Sequence, residues 1–125
     1  MQKLTRQRND NHSTELGVWL RQQKEIDSSL GYVASNIDYI WSNYKTGEWM
    51  LIEEKRHMSD ITYCQKNLFK KLRLAIQDKL FKGFHLVQFE NTGPDDGKIY
   101  LNRKEITKES FIKFLQFKGA PYDAN

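Results

Sequence analysis

Apolar residues fall three and four apart over 13–24, gather into two short runs over 37–55, return to helical spacing over 58–80 and alternate over 84–89. Ser13 stands where an N-cap would open a helix to about Lys24, with Leu16, Trp19 and Leu20 as its apolar stripe. Residues 28–36, with Gly31, read as a loop. Two strands follow at about 37–44 and 48–55. Met58-Ser59-Asp60 opens a long helix to about Leu80, with the stripe Ile61, Cys64, Leu68, Leu72, Ala75, Ile76 and Leu80. Phe84 to Phe89 alternates as a strand, and Asn91 to Gly97 is rich in turn residues. Ile99 to Leu101 gives a further short strand. Thr107 caps a last helix carrying Phe111, Ile112, Phe114 and Leu115, and Gly119-Ala120-Pro121 stops it.

The predicted order is α-β-β-α-β-β-α, an α/β fold with a small mixed β-sheet flanked by helices. It predicts one domain over 13–118, a flexible basic arm over 1–12 and a tail over 119–125. There is no internal repeat.

The two strands at 37–55 hold the chain's most unusual pattern. Asp38, Glu53 and Lys55 are charges on strands of buried type, costly there unless paired or bound to a metal. Strand side chains alternate, so Glu53 and Lys55 share a face, while Glu54 points the other way with Ile52 and Met50. A two-residue loop at Thr46-Gly47, or a four-residue loop from Lys45 to Glu48, sets Tyr44 against Trp49 and Asp38 opposite Lys55. Glu53 is then a diagonal neighbour of Asp38, about 7–8 Å away along the backbone. Two carboxylates so placed can share one ion, which sits ~2.0–2.6 Å from each oxygen. A three-residue loop with Gly47 in a bulge would set Asp38 opposite Glu54 instead.

Composition narrows the classes. At 125 residues there is material for one compact domain, and 38% apolar content allows it a modest core. No apolar run approaches the ~20 residues of a membrane span. The polar start, Met1 to Asn11, lacks the apolar stretch of a secretory leader. Cys64 is the single cysteine, so neither an internal disulfide nor a zinc cluster is expected, and the cytoplasm, or a host's cytoplasm for a viral protein, is the default location. A net charge of +4 is compatible with a nucleic-acid partner. His12, His57 and His85 lack metal-ligand spacing. Serine-nucleophile, phosphate-loop and zinc-finger signatures are absent.

Asp38 on one strand and Glu53-x-Lys55 on the next resemble the PD-(D/E)xK nuclease superfamily, over roughly Ser13 to Leu86. Ile37 stands where that family often has proline. The small archaeal-type Holliday-junction resolvases and the compact virus-type nuclease modules are the most similar in layout. The resemblance implies a restriction-endonuclease-like core, with Asp38 and Glu53 binding Mg²⁺ or Mn²⁺ and Lys55 orienting or helping to activate the attacking water. Such members carry a glutamate on a first helix, which makes Glu15 a further candidate ligand. A carboxylate in a helix's first turn is also favoured by the helix dipole alone, by ~0.3–1 kcal/mol. Some members carry a glutamine near the metal on the helix after the Glu-x-Lys strand. Gln65, four after Ile61 and three before Leu68, lies toward the sheet and is that candidate. Phe69 stands where the exonuclease branch has tyrosine.

Lys66, Lys70, Lys71, Arg73, Lys79 and Lys82 make the second helix and its exit basic, either a solvated face or a phosphate-tracking one. Lys66, Lys70 and Arg73, with Arg56 and His57 just after the motif, are the candidate nucleic-acid contacts. These features predict a Mg²⁺-dependent endonuclease acting on DNA, with RNA as a further possible substrate and no membrane partner. A homodimer would supply two sites and a longer basic face. The alternative is a non-catalytic nucleic-acid- or protein-binding module on the same fold, such as a phage or mobile-element inhibitor of a host system.

Overall fold

The structure is a computed structural model and describes residues 15–119. The chain divides into two compact units, Met1–Asn36 and Ile37–Asn125, each described on its own. The first holds helix α1 (Glu15–Gln22) and two single 3-10 turns, Lys24–Ile26 and Ser28–Leu30. The Asp27 carboxylate accepts from the Ser29 N–H at 3.0 Å and the Ser29 hydroxyl at 2.6 Å, fixing the second turn. Leu16 and Trp19, the expected apolar stripe, stay largely exposed. The Ser13 cap, the arm over 1–12 and the tail beyond Gly119 lie outside the described residues.

The second unit is built on a five-stranded sheet in the order β1 (Tyr39–Ser42), β2 (Trp49–Lys55), β3 (Phe81–Phe89), β4 (Ile99–Leu101), β5 (Lys104–Ile106). β2 and β3 run parallel, and the other neighbours are antiparallel. A parallel pair requires a crossover, which α2 (Tyr63–Ala75) supplies. The two central strands read as near-continuous apolar runs because both of their faces are covered. The face carrying Met50, Ile52, Val87, Phe89, Ile99 and Leu101 packs on Phe114 and Phe111 of α3 (Lys108–Leu115) and forms the main core. The opposite face carries Leu51, Glu53 and Lys55 beside Phe84, Leu86 and Gln88 of β3, and the Phe69 ring of α2 packs against Phe84 with centroids 4.4 Å apart and planes tilted by 37°.

The sheet corrects the sequence-based order in one place: β5 is an additional strand. Asn102-Arg103 turns the chain between β4 and β5 with φ of 51° and 74°, the pattern of a type I′ hairpin turn. Arginine is a poor signal for such a turn, and Lys104-Glu105-Ile106 lacks strand-like apolar character, so the turn and β5 did not stand out, although β4 did. Two clamps hold it. Asn102 exchanges hydrogen bonds with Leu86, accepting at 3.0 Å and donating at 2.8 Å. Arg103 forks onto Asp60 at 2.8 and 3.0 Å. An exposed pair contributes only ~0–1 kcal/mol, of the same order as the ~1–2 kcal/mol cost of a non-glycine residue in the left-handed region.

α2 is shorter than its apolar spacing predicts and is rotated by one residue. Thr62 and Gln65 form a capping box: the Gln65 N–H donates to Thr62 Oγ1 at 3.1 Å, and the Thr62 N–H donates to Gln65 Oε1 at 3.0 Å. The helix therefore starts after Thr62 rather than at Met58. At the other end the Asp78 carboxylate accepts from the Leu80 N–H and the Trp49 indole, both at 2.9 Å. These bonds draw the chain out of helical geometry before Leu80. The inward positions are Gln65, Phe69, Leu72 and Ile76, whereas the expected stripe members Cys64, Leu68 and Ala75 are exposed. β3 then bulges at Gly83, whose φ of 97° suits glycine; a Cβ there would lie 3.2 Å from the His85 ring.

Candidate active site

The β1–β2 hairpin closes one residue earlier than either loop expected from the sequence for the Tyr44–Trp49 pairing. The Asn43 N–H donates to the Glu48 carbonyl at 2.9 Å, and the Gly47 N–H donates to the Asn43 carbonyl at 2.8 Å. The loop is Tyr44 to Gly47, with Asn43 Oδ1 accepting from Lys45 N–H at 2.9 Å. Asparagine before the turn captures these amides, and Gly47 supplies the left-handed φ of 85°. Tyr39 pairs with Ile52 and Ser42 with Trp49. The whole register moves by two, so every side chain keeps its face. Just before β1, the Asp38 N–H reaches the Glu53 carboxylate at 3.4 Å, and in this register Lys55 is no longer the residue expected opposite Asp38.

The contacts around this pair are specific. Asp38 Oδ2 accepts from the Glu54 N–H at 2.8 Å, which locks its carboxylate to β2. Glu53 Oε1 accepts from the Asp38 N–H at 3.4 Å. Lys55 Nζ reaches both Glu53 Oε2 and Gln65 Oε1 at 3.5 Å. Gln65 Nε2 donates to Glu53 Oε2 at 3.5 Å. The capping box that starts α2 thus also aims the Gln65 amide into the cluster. Asp38, Glu53, Lys55 and Gln65, read from separate segments, converge at one place.

Glu53 is only 3% exposed, yet no partner among the described residues comes nearer than 3.4 Å. Burial, and next the negative charge of Asp38, raise its pKa above the ordinary glutamate value of 4.5, against the pull of Lys55. A buried carboxylate held by three long contacts is under-compensated, and such a group calls for an explanation. A hard divalent cation fits the donor set, which is oxygen only: Asp38 and Glu53, with Asp38 Oδ1 unpartnered among the described residues. No cluster of three or more His, Cys, Asp or Glu side chains gathers among the described residues. Mg²⁺ commonly takes one or two carboxylates and keeps waters and phosphate oxygens for the rest of its shell.

A pH dependence follows. The folded-state pKa of Glu53 is raised, so its contribution to stability is complete below pH 4.5 and is lost as pH rises through the folded value. Without divalent ions, Glu53→Gln is expected to be more stable than the wild type at neutral pH, with the gap closing as pH falls through the carboxylate range. Adding Mg²⁺ at neutral pH should stabilise the wild type, by ~2.7 kcal/mol at a hundredfold excess over Kd, and leave the variant unmoved. Thermal melts across pH with and without Mg²⁺ read both effects.

Glu15 opens α1 in the first unit, as its dipole role requires. Lys66, Lys70 and Arg73 are exposed and spaced four and three apart, forming one flank of α2 beside the inward Gln65–Phe69–Leu72 face. Lys71 is exposed on the other flank, and Lys82 pairs with Glu48 at 3.9 Å. Arg56 bonds Glu54 at 3.1 Å through Nε and so belongs with the opposite, α3-side face of the sheet. His57 is exposed in a left-handed turn with Met58, their φ values being 54° and 58°.

Gln88 was not among the residues read from the sequence. It pairs with Lys55 across the parallel ladder, is 4% exposed and donates to the Ser59 carbonyl at 3.0 Å. Together with His57 N–H on Asn91 and Met58 N–H on Phe89, both at 2.9 Å, it ties down the turn after Lys55. A lone glutamine in the apolar run Phe84–Phe89 was the available signal. His85 in the same run is fully buried, with its ring edge-on to Phe114 and Nε2 at 2.7 Å from the Lys82 carbonyl; burial lowers its pKa. Compared with known protein families, curated proteins and solved structures, the chain matches none.

Proposed function

We propose that this chain is a Mg²⁺-dependent nuclease that hydrolyses phosphodiester bonds, with DNA as its substrate, on a restriction-endonuclease-like arrangement of β1, β2 and α2. The observation that carries the reading is the buried, loosely partnered Glu53 beside Asp38, with a lysine and a glutamine converging on it. When bound, the ion supplies positive charge at the scissile phosphate and a more acidic water. The Asp38 and Glu53 carboxylates would hold it. Lys55, partly exposed at 21% of its side chain, faces outward from the same cluster and can donate to a water or a phosphate oxygen. Its work in this reading is orientation and charge, at a water or a phosphate oxygen. Gln65 keeps Lys55 and Glu53 in place through its two amide atoms.

The Lys66–Lys70–Arg73 flank starts one residue from Gln65 and would carry the substrate backbone toward the cluster. Each phosphate contact contributes about −0.9 to the slope of log affinity against log salt on duplex DNA. Lys70→Gln with Arg73→Gln is expected to reduce that slope by about two and to weaken all sequences alike. Stability should barely change, since exposed charges contribute ~0–1 kcal/mol each. An unchanged slope would remove α2 from the substrate path. The function itself is tested by divalent-dependent cleavage on a panel of linear, circular, single-stranded and branched DNA, with RNA included.

The non-catalytic reading draws on one observation. The Lys55–Glu53 contact at 3.5 Å is also what a purely structural ion pair would show. A chain that binds DNA with a steep salt slope but cleaves nothing on the panel would be such a module.

A further inference from the structure

On the α3 side of the sheet, the face away from Asp38 and Glu53, lies a cleft of about 330 Å³ that the reaction above does not use. That volume is at the lower end of the ~300–1,000 Å³ typical of small-molecule sites. Aromatic residues line it, Tyr39 and Trp41 of β1, Phe89 of β3 and Phe111 of α3, together with Thr92, Gly93 and Pro94. Tyr39 and Trp41 remain 51% and 42% exposed, so their rings are not consumed by the core. The Trp41 indole N–H donates to the Leu115 carbonyl at 2.7 Å, which fixes the ring plane against α3.

Two charged residues line the cleft with these rings. Glu54 accepts from the Tyr39 hydroxyl at 3.2 Å and from Arg56 Nε at 3.1 Å. These bonds orient the guanidinium, and its two terminal amino groups have no partner among the described residues. A pre-oriented guanidinium with free terminal donors suits a phosphate or carboxylate. A planar ring stacked on aromatic side chains gains without needing a particular base identity. The Glu54 carboxylate can in addition accept from an amino group on the ring's edge.

We propose that this cleft is a nucleotide-binding site, taking the base against Tyr39 and Trp41 and the phosphate on Arg56. The proposal stands apart from cleavage, since neither Asp38 nor Glu53 lines the cleft and no metal is required. It does account for two neighbouring charges on one strand end facing opposite ways. Lys55 serves the α2 face, and Arg56 serves the α3 face.

The test uses the full chain, adenosine 5′-monophosphate and the indole N–H signals of the three tryptophans in a proton–nitrogen correlation spectrum, assigned by single Trp→Phe variants. The nucleotide should shift the Trp41 indole signal saturably and leave that of Trp49, held on Asp78, in place. Adenosine and ribose 5-phosphate should each bind at least about tenfold more weakly, since each lacks one half of the recognition. Arg56→Gln should bring the monophosphate's affinity down to that of adenosine and leave adenosine itself unchanged. Arg56 is exposed, and the variant's unperturbed spectrum without ligand would show that it folds. A Trp41 signal that does not saturate, equal shifts at all three tryptophans, or an Arg56→Gln variant that binds the monophosphate as well as wild type would each overturn the assignment.

Discussion

Asp38→Asn and Glu53→Gln are each expected to abolish divalent-dependent cleavage while leaving the sheet intact. Asp38, just before β1, is bonded to Glu53 and Glu54 of β2, and each amide replacement keeps the shape while removing the charge that a hard cation needs. The structural consequences differ in a way that separates the two variants. Asp38→Asn retains an oxygen to accept from the Glu54 N–H, so β1 should stay locked to β2. Glu53→Gln removes a buried charge that burial and Asp38 already disfavour, so it should fold at least as well as wild type. Loss of activity in a variant whose melting temperature is unchanged or raised would assign the effect to chemistry. Near-native cleavage by either variant at equal metal concentration would remove the pair from the active site.

Lys55→Ala is expected to lower the cleavage rate by about 10²-fold or more, the range for a positioned water-orienting group. Its effect should fall on kcat, with metal affinity largely kept, because lysine is not a ligand. The competing role is structural. Lys55 is the only cation within 4 Å of the Glu53 carboxylate among the described residues, and breaking a buried pair can cost ~3–5 kcal/mol. Its partly exposed ammonium and the 3.5 Å separation favour a much smaller loss. Lys55→Met, which keeps the apolar stem, separates the roles: rate loss with a normal melt marks positioning, and an unfolded variant marks a counter-charge.

The parts of this site that were legible in the sequence were those governed by alternation. Glu53 and Lys55 share a face because they are two apart on a strand, and Glu54 and Arg56 point the other way for the same reason. Register was not legible, because it depended on which residues close the hairpin. Asn43 captures the loop amides through its side chain, and the sequence gives several plausible closures around Gly47. The observed register differs by two residues, which preserves faces and brings the Asp38 N–H to the Glu53 carboxylate. On α2, apolar spacing favoured the Cys64–Leu68 stripe, but the capping box and Phe69 on Phe84 decide the rotation. That rotation is what carries Gln65 into the cluster. The fifth strand was hidden because its three residues are mostly polar and its turn uses Asn102-Arg103, held by contacts to Leu86 and Asp60 that no local pattern reveals.

The most direct measurement is crystallographic: Mn²⁺ diffused into crystals of the protein, located by its anomalous scattering. The account predicts a peak within ~2.0–2.6 Å of carboxylate oxygens from both Asp38 and Glu53, absent in crystals of Glu53→Gln. A fully occupied Mn²⁺ elsewhere, with the Lys55 ammonium still resting against Glu53 and no density between the two carboxylates, would contradict it.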